Sequence, residues 1–396
     1  MTRRAVVVLG IGQCVNWGVL YYAFAIFVLP LQRDLGVASW VVTGAYSIAL
    51  LMSAGLAPAV GRWADRGHGP RLMDGAGLAA AGLFIAWALI PGVITLYAIW
   101  AALGLCMAAT LYEPAFIIVG RAHEDPAARL RRLAAVTLFG GLASTVFLPL
   151  TAVLVRGMGW RGAAIALAAV LAASTWATRV FAFRQLSASP PGAMRDLPAL
   201  RSVDGGADPL RFAFVAAAFG LVSFAAAAFT ANLVPALGER GLSPAAAAML
   251  GGSIGLMQLP GRALLMRNAP PGGPSRLLAV TLLLQAAGFA GIAVASSGPV
   301  LAAGTMVFAL GAGVTTLVRP HLIEDLFGPA GAGDLNGRVA RTQQLARAAG
   351  PIAVAWLAGS IGFGSVFLLV ACVFALIAIA SRNVLRAATP ASPAMP

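Results

Sequence analysis

Residues 39–71 read SWVVTGAYSIALLMSAGLAPAVGRWADRGHGPR. From Ser39 to Val60 no residue carries a charge, and then Arg62, Asp65, Arg66, His68 and Arg71 follow within a few positions. A helix rises ~1.5 Å per residue, so such an apolar run covers the ~30 Å hydrocarbon core of a bilayer. The knot of charge after it marks where the chain meets water.

The rest of the chain repeats this pattern. Of 396 residues, 60% are hydrophobic and only 10% are charged. A soluble chain carries about a quarter charged residues. The mean hydropathy is +0.88. Cutting at charges and at Gly/Pro turns yields twelve spans: 5–31, 39–61, 72–90, 94–120, 132–156, 160–183, 211–237, 244–265, 276–296, 299–323, 336–358 and 362–382. The expected architecture is an all-α membrane protein of twelve transmembrane helices in two pseudo-symmetric six-helix bundles. The N-terminal bundle covers 1–183 and the C-terminal bundle 211–382, with a Pro/Gly-rich cytoplasmic linker at 184–210 and a disordered cytoplasmic tail at 383–396. Arg3 and Arg4 precede the first apolar run as in a signal peptide, but that run is too long and is interrupted by Gln13, Asn16 and Trp17.

The net charge is +14, all of its cationic part arginine. These arginines sit at the ends of apolar runs and not on a basic face, which argues for topology and against nucleic acid. One set of loops holds Arg62, Arg66, Arg71, Arg121, Arg184 and most of the others; the opposite set holds only Arg33, Arg156, Arg161 and Arg240. The positive-inside rule then puts both termini and the linker in the cytoplasm of a bacterial inner-membrane protein. Cys14, Cys106 and Cys372 are odd in number and lie in apolar runs, which reads as packing and not as a disulfide framework.

The two halves repeat. Ser53, Gly55, Leu56, Gly61 and Arg62 recur as Ser253, Gly255, Leu256, Gly261 and Arg262, an offset of 200 throughout. Pro30 and Gly36 recur as Pro235 and Gly241, and Glu113-Pro114 aligns with Arg319-Pro320. Repeated halves around a midplane cavity are a common plan of secondary transporters.

The loop Gly61-Arg62-Trp63-Ala64-Asp65-Arg66-Gly67-His68-Gly69-Pro70-Arg71 resembles the major facilitator signature between the second and third helices, with one extra residue between Arg66 and Gly69. Trp17-Gly18, Tyr21-Tyr22-Ala23-Phe24 and Gly159-Trp160-Arg161 are similar to the monocarboxylate-porter and oxalate/formate-antiporter side of that superfamily. The resemblance implies a cytoplasmic conformational latch at Asp65, Arg66 and Arg71. The plainer reading of the two arginines is topology alone.

Ionisable residues inside a membrane cost at least ~2.5 kcal/mol at the helix centre and are functional candidates by default. Arg347 lies about eleven residues into the eleventh span, roughly 16 Å deep. A guanidinium donates two parallel hydrogen bonds to a carboxylate, so Arg347 is the expected anchor of a substrate anion. The competing reading is snorkelling, or bonding to carbonyls around Pro351. Glu113 and Arg319 hold matched places in the repeat, and the expectation is that they pair when the cytoplasmic mouth closes. Glu113 alone is the candidate proton carrier, and local satisfaction within each half is the bland alternative. His321 titrates in a useful range, yet near a span end it reads as well as an interfacial hydrogen bonder. On the first span Gln13, Asn16, Trp17, Tyr21 and Phe24 offer a polar and aromatic face suited to a cavity wall, although interhelical bonding explains it about as well. Tyr22, Tyr112, Asn232, Gln258, Gln285 and Gln343 are further lining candidates.

The run Gly251-Gly252-Ser253-Ile254-Gly255 matches the hydrolase pattern G-x-S-x-G, but it lies in an apolar helix where that chemistry needs a strand–turn–helix elbow. No phosphate loop, zinc spacing or dinucleotide fingerprint occurs, so no cofactor and no metal are expected. The resulting expectation is a monomeric secondary active transporter, not an enzyme, that moves a small organic anion with protons across the bilayer. The expected cargo is a monocarboxylate. A proton-driven efflux pump for a toxic or drug-like compound is the first rival. An intramembrane hydrolase and a transporter-like sensor are more distant ones.

Overall fold

The computed structural model describes residues 2–89, 92–122, 126–184, 208–267, 273–327 and 332–386, with backbone alone at 126–130, 261–267, 316–317, 320–321, 332–334 and 386. The expected linker and tail therefore lie almost wholly outside the described residues, as does the side chain of His321.

Among the described residues, 8 continuous helical stretches are long and apolar enough to cross a membrane. Three of these, Ser39–Leu89, Arg131–Phe183 and Leu335–Leu385, run 51, 53 and 51 residues, twice what one crossing needs. Each is broken by a glycine with positive φ: Gly67 (φ 90°), Gly159 (φ 71°) and Gly362 (φ 77°). The helix Pro244–Arg267 completes the count of twelve spans.

The first span enters at Thr2, whose hydroxyl accepts from the amide of Ala5 at 3.3 Å and caps Arg3–Trp17. A π turn, Gly18–Tyr22, follows, and Phe24–Leu35 continues the span to Gly36, a left-handed cap at φ 65°. The fourth span is likewise divided. Val93–Thr110 and Tyr112–Arg121 meet at Leu111, whose extended backbone (ψ −161°) turns the chain.

The repeat extends to features the sequence reading did not pair. Asp34 and Glu239 share the 205-residue offset of Pro30/Pro235. Asp34 accepts the indole N–H of Trp160 at 3.2 Å and pairs with Arg161 at 2.8 Å, just after Gly159. Glu239 accepts the amide of Phe363 at 2.9 Å, just after Gly362. In each half an acid at the end of the first span thus holds the start of the last.

By spatial grouping the chain forms two compact units that cut across the sequence halves. One comprises the described residues of Met1–Arg195 with Ala227–Leu256 and Arg347–Phe363. The other comprises those of Asp196–Ala226, Met257–Ala346 and Gly364–Pro396. The first unit has an aromatic core. Phe24 stacks on Tyr46 at 4.5 Å and meets Trp100 edge-on at 4.6 Å, and Trp87 links Trp100 to Phe27 and Trp160. The second unit centres on Phe289, against Phe308, Phe367 and Phe374. Spans nine and ten touch there through Gly288, Gly291 and Gly304, where a side chain would strike the facing backbone. Small residues let membrane helices approach this closely, since lipid leaves packing as the main attraction between them.

Candidate functional site: a cationic aromatic site in the first unit

The site begins at a proline inside a helix. Pro351 has no amide hydrogen, so it leaves the carbonyl one turn back without its usual helical partner. The backbone at Pro351 and Ile352 is held from outside. The carbonyl of Pro351 accepts from Asn232 Nδ2 at 3.1 Å, and the amide of Ile352 donates to Ser47 Oγ at 3.2 Å. Asn232 also donates to the carbonyl of Ala228 at 2.9 Å, which fixes its side chain. Spans two and seven therefore grip the backbone one turn beyond Arg347.

Arg347 is half-buried within this unit. Tyr21 and Tyr46 belong to the same unit. Tyr46 is fully buried and donates to the carbonyl of Tyr21 at 3.1 Å, at the π turn of the first span. Single π turns inside helices are frequent at functional sites. Trp17 packs on Tyr21 at 5.1 Å and on Tyr112 at 4.9 Å, and Tyr112 stacks on Phe116 at 5.1 Å. The indole N–H of Trp17 is buried and finds no acceptor among the described residues. Arg347, Trp17, Tyr22 and Tyr112 all keep some exposure. The residues that keep exposure supply a guanidinium, two phenols and an indole ring.

The other sequence candidates fall elsewhere. Gln13 and Asn16 are buried, and their amides donate to the carbonyl of Thr110 at 2.8 and 3.0 Å, which ties the first span to the fourth just before its break. Phe24 is fully buried in the aromatic core. Glu113 is exposed in the first turn of Tyr112–Arg121. Arg319 belongs to the second unit, where Gln343 accepts from its guanidinium and in turn donates to Ser223 at 3.0 Å. Asp65, Arg66 and Arg71 are exposed around the π turn Ala64–His68, and Gly67 sits beside Arg121. Gln285 is fully buried and donates to Thr315 at 3.1 Å.

The hydrolase reading is overturned. Ser253 lies inside the helix Pro244–Arg267, and its hydroxyl donates to the carbonyl of Leu250 at 2.7 Å. The glycines around it are packing surfaces: a Cβ on Gly255 would lie 2.5 Å from the carbonyl of Gly141, and Thr145 donates to the carbonyl of Gly252 at 2.7 Å.

Three residues escaped the sequence reading. Tyr46 and Ser47 carry no charge and look like ordinary members of an apolar run. Asp74 lies three residues from Arg71, close enough to the span end to read as part of the topology signal. It pairs with Arg179 at 3.2 Å. An acid inside the third span facing an arginine inside the sixth is a pairing that only helix packing reveals.

Residues 9–270 match the family model described as Major Facilitator Superfamily. No curated protein matches the chain. Among solved structures, a bacterial homolog of the human lysosomal transporter Spinster, in an inward-facing and occupied conformation, is similar at 14% identity and TM-score 0.75 over 98% of each chain. A D-xylose–proton symporter is similar at 12% identity and TM-score 0.75, over 95% of this chain and 96% of that one. The human organic anion transporter MFSD10 is similar at 19% identity and TM-score 0.65, over 96% and 99%. At these identities the likeness is one of fold, and it extends over nearly the whole chain.

Proposed function

The chain belongs to the major facilitator superfamily, and from that premise we propose that it carries a small organic anion by alternating access of its two halves. Membership makes it a multi-pass membrane protein and a secondary transporter, not an enzyme. The anion is the step beyond membership. The observation that carries it is Arg347, a half-buried charge one turn from Pro351, where Asn232 and Ser47 hold the backbone. A guanidinium beside phenolic donors suits a carboxylate, and the rings around it suit a short apolar body behind that group. A monocarboxylate fits this description best. The fold has one precedent for anionic cargo in the human organic anion transporter.

The sequence features similar to the monocarboxylate and oxalate/formate side do not add much to this reading. Gly159, Trp160 and Arg161 have a local task in holding Asp34. Protons are the coupling ion we favour, with Glu113 as carrier. The cell is taken to be bacterial, the membrane the inner one, both termini cytoplasmic and the protein a monomer. Efflux of an anionic drug-like compound is the variant reading, because the same donors would serve either direction.

Uptake into proteoliposomes of a panel of labelled carboxylic acids, with a pH gradient of either sign, tests this. Accumulation of a short monocarboxylate with the gradient, abolished in Arg347→Gln, is expected. If no acid moves or competes, the anion reading is wrong.

A further inference from the structure

Below the aromatic site, the first unit contains a polar crevice that the proposed transport reading does not use. It lies between spans one, three and six and is lined by Gly12, Asn16, Asp74, Ser174, Thr175 and Thr178. Three of its polar groups have their donors committed elsewhere. Thr175 donates its only hydroxyl hydrogen to the carbonyl of Leu171 at 2.8 Å, and Thr178 donates its own to the carbonyl of Ser174 at 2.9 Å. Asn16 Nδ2 is turned to the carbonyl of Thr110 at 3.0 Å. The crevice therefore receives oxygen lone pairs: two threonine hydroxyls and the amide oxygen of Asn16.

Asp74 completes the set with a charge. Its Oδ2 pairs with Arg179 at 3.2 Å. Its Oδ1 is buried and has no hydrogen-bond partner among the described residues. A hydrogen bond or ion contact to a carboxylate oxygen of this kind contributes about 1.5–3 kcal/mol. Arg179 reaches Asp74 through Oδ2, with 61% of its own side chain exposed against 18% for Asp74. Glycine at 12 and 77 gives the hydroxyls their room, since a Cβ there would lie 2.7 Å from Thr178 Oγ1 and 2.4 Å from Thr175 Oγ1.

We propose that this crevice binds a small monovalent metal cation, sodium, through Asp74 Oδ1, Asn16 Oδ1 and the hydroxyl oxygens of Thr175 and Thr178. Hard cations take oxygen ligands of this kind: carboxylate, amide carbonyl and hydroxyl. One carboxylate, shared with an arginine, suits a single positive charge better than two. Asn16 connects the site to transport. It precedes Trp17 of the aromatic site and bonds Thr110 just before the break that leads to Tyr112 and Glu113. A cation drawn to Asn16 bears on both. The inference goes beyond the anion reading and does not need the cargo to be known.

Thermal unfolding of the purified protein in detergent tests it directly. Sodium chloride is titrated against choline chloride at constant ionic strength, between pH 6 and 8. A saturable rise in Tm with sodium and none with choline is expected. Asp74→Asn is expected to abolish it, and Thr178→Val to raise the half-saturating sodium concentration about tenfold. Arg179→Gln, which removes the competing cation, is expected to keep the sodium response or move it to lower concentration, so the proposal stays testable even if Asp74→Asn fails to fold. A Tm that follows pH and not sodium, or a sodium response that survives intact in both Asp74→Asn and Thr178→Val, overturns it. Either result leaves the anion reading untouched, because that reading is judged by uptake and by Arg347.

Discussion

Ser47 Oγ accepts the amide hydrogen of Ile352 at 3.2 Å, so the second span holds the eleventh by its backbone just after Pro351. Asn232 does the same from the seventh span through the carbonyl of Pro351. Each bond contributes about 1 kcal/mol, and more where a buried group is left unpartnered. Ser47→Ala and Asn232→Ala are each expected to lower Tm in detergent by a few degrees. The two act on adjacent residues, so the double variant is expected to lose less than the sum. Strict additivity in the melting curves would mean that the two bonds are independent.

Arg347→Lys keeps the charge and loses the planar fork, and Arg347→Gln loses both. Truncating a buried charged group that meets an opposite charge costs about 2–5 kcal/mol. Once a carried acid is found, Arg347→Gln is expected to raise its half-saturating concentration by at least ~30-fold, and Arg347→Lys by about tenfold. Equal affinities in wild type and both variants would remove Arg347 from the site.

Glu113→Gln tests the coupling. If Glu113 carries the proton, the variant loses uphill accumulation driven by a pH gradient. Exchange of internal for external substrate is expected to survive, since it needs no net proton movement. An unchanged pH profile for uphill uptake rules Glu113 out.

The glycines separate two kinds of requirement. A Cβ on Gly104 would lie 2.1 Å from the carbonyl oxygen of Ala49, and one on Gly288 2.4 Å from the amide nitrogen of Phe308. Backbone cannot step aside as a side chain tip can, so Gly104→Ala and Gly288→Ala are each expected to cost about 1–3 kcal/mol. At Gly55 a Cβ meets nothing within 4 Å, and Gly55→Ala is expected to be neutral. Size-exclusion profiles and Tm of the three variants check this.

At the matched acids, Asp34 and Arg161 keep 35% and 43% of their side chains exposed. Exposed pairs contribute about 0–1 kcal/mol, and Asp34→Asn is expected to fall in that range. Gly159 is different: φ 71° with ψ 173° is a region open essentially to glycine alone, and a side chain there costs about 1–3 kcal/mol. Gly159→Ala is therefore expected to destabilise more than Asp34→Asn in thermal unfolding, and the reverse order would mean that the ion pair, and not the turn, holds the start of the sixth span.

The twelve spans, the repeated halves and the family were legible in the sequence, because a bilayer imposes a period of its own. Each crossing needs about 20 apolar residues, each return to water needs polar ones, and duplication leaves matched residues at a constant offset. Arg347 could be singled out as a charge deep in an apolar run. Its surroundings were not legible. Tyr46 and Ser47 are ordinary residues of an apolar run until packing brings them to the eleventh span. Gln13 and Asn16 have the composition of a binding face, yet their amides are committed to Thr110, and no periodicity shows where a side chain finds its partner. Asp74 is the same case, since its place beside Arg179 comes from two helices meeting about a hundred residues apart in sequence. Hydropathy is a property of single segments and can be read along the chain. Hydrogen-bond partners and approach distances belong to pairs of segments, and only the tertiary structure decides them.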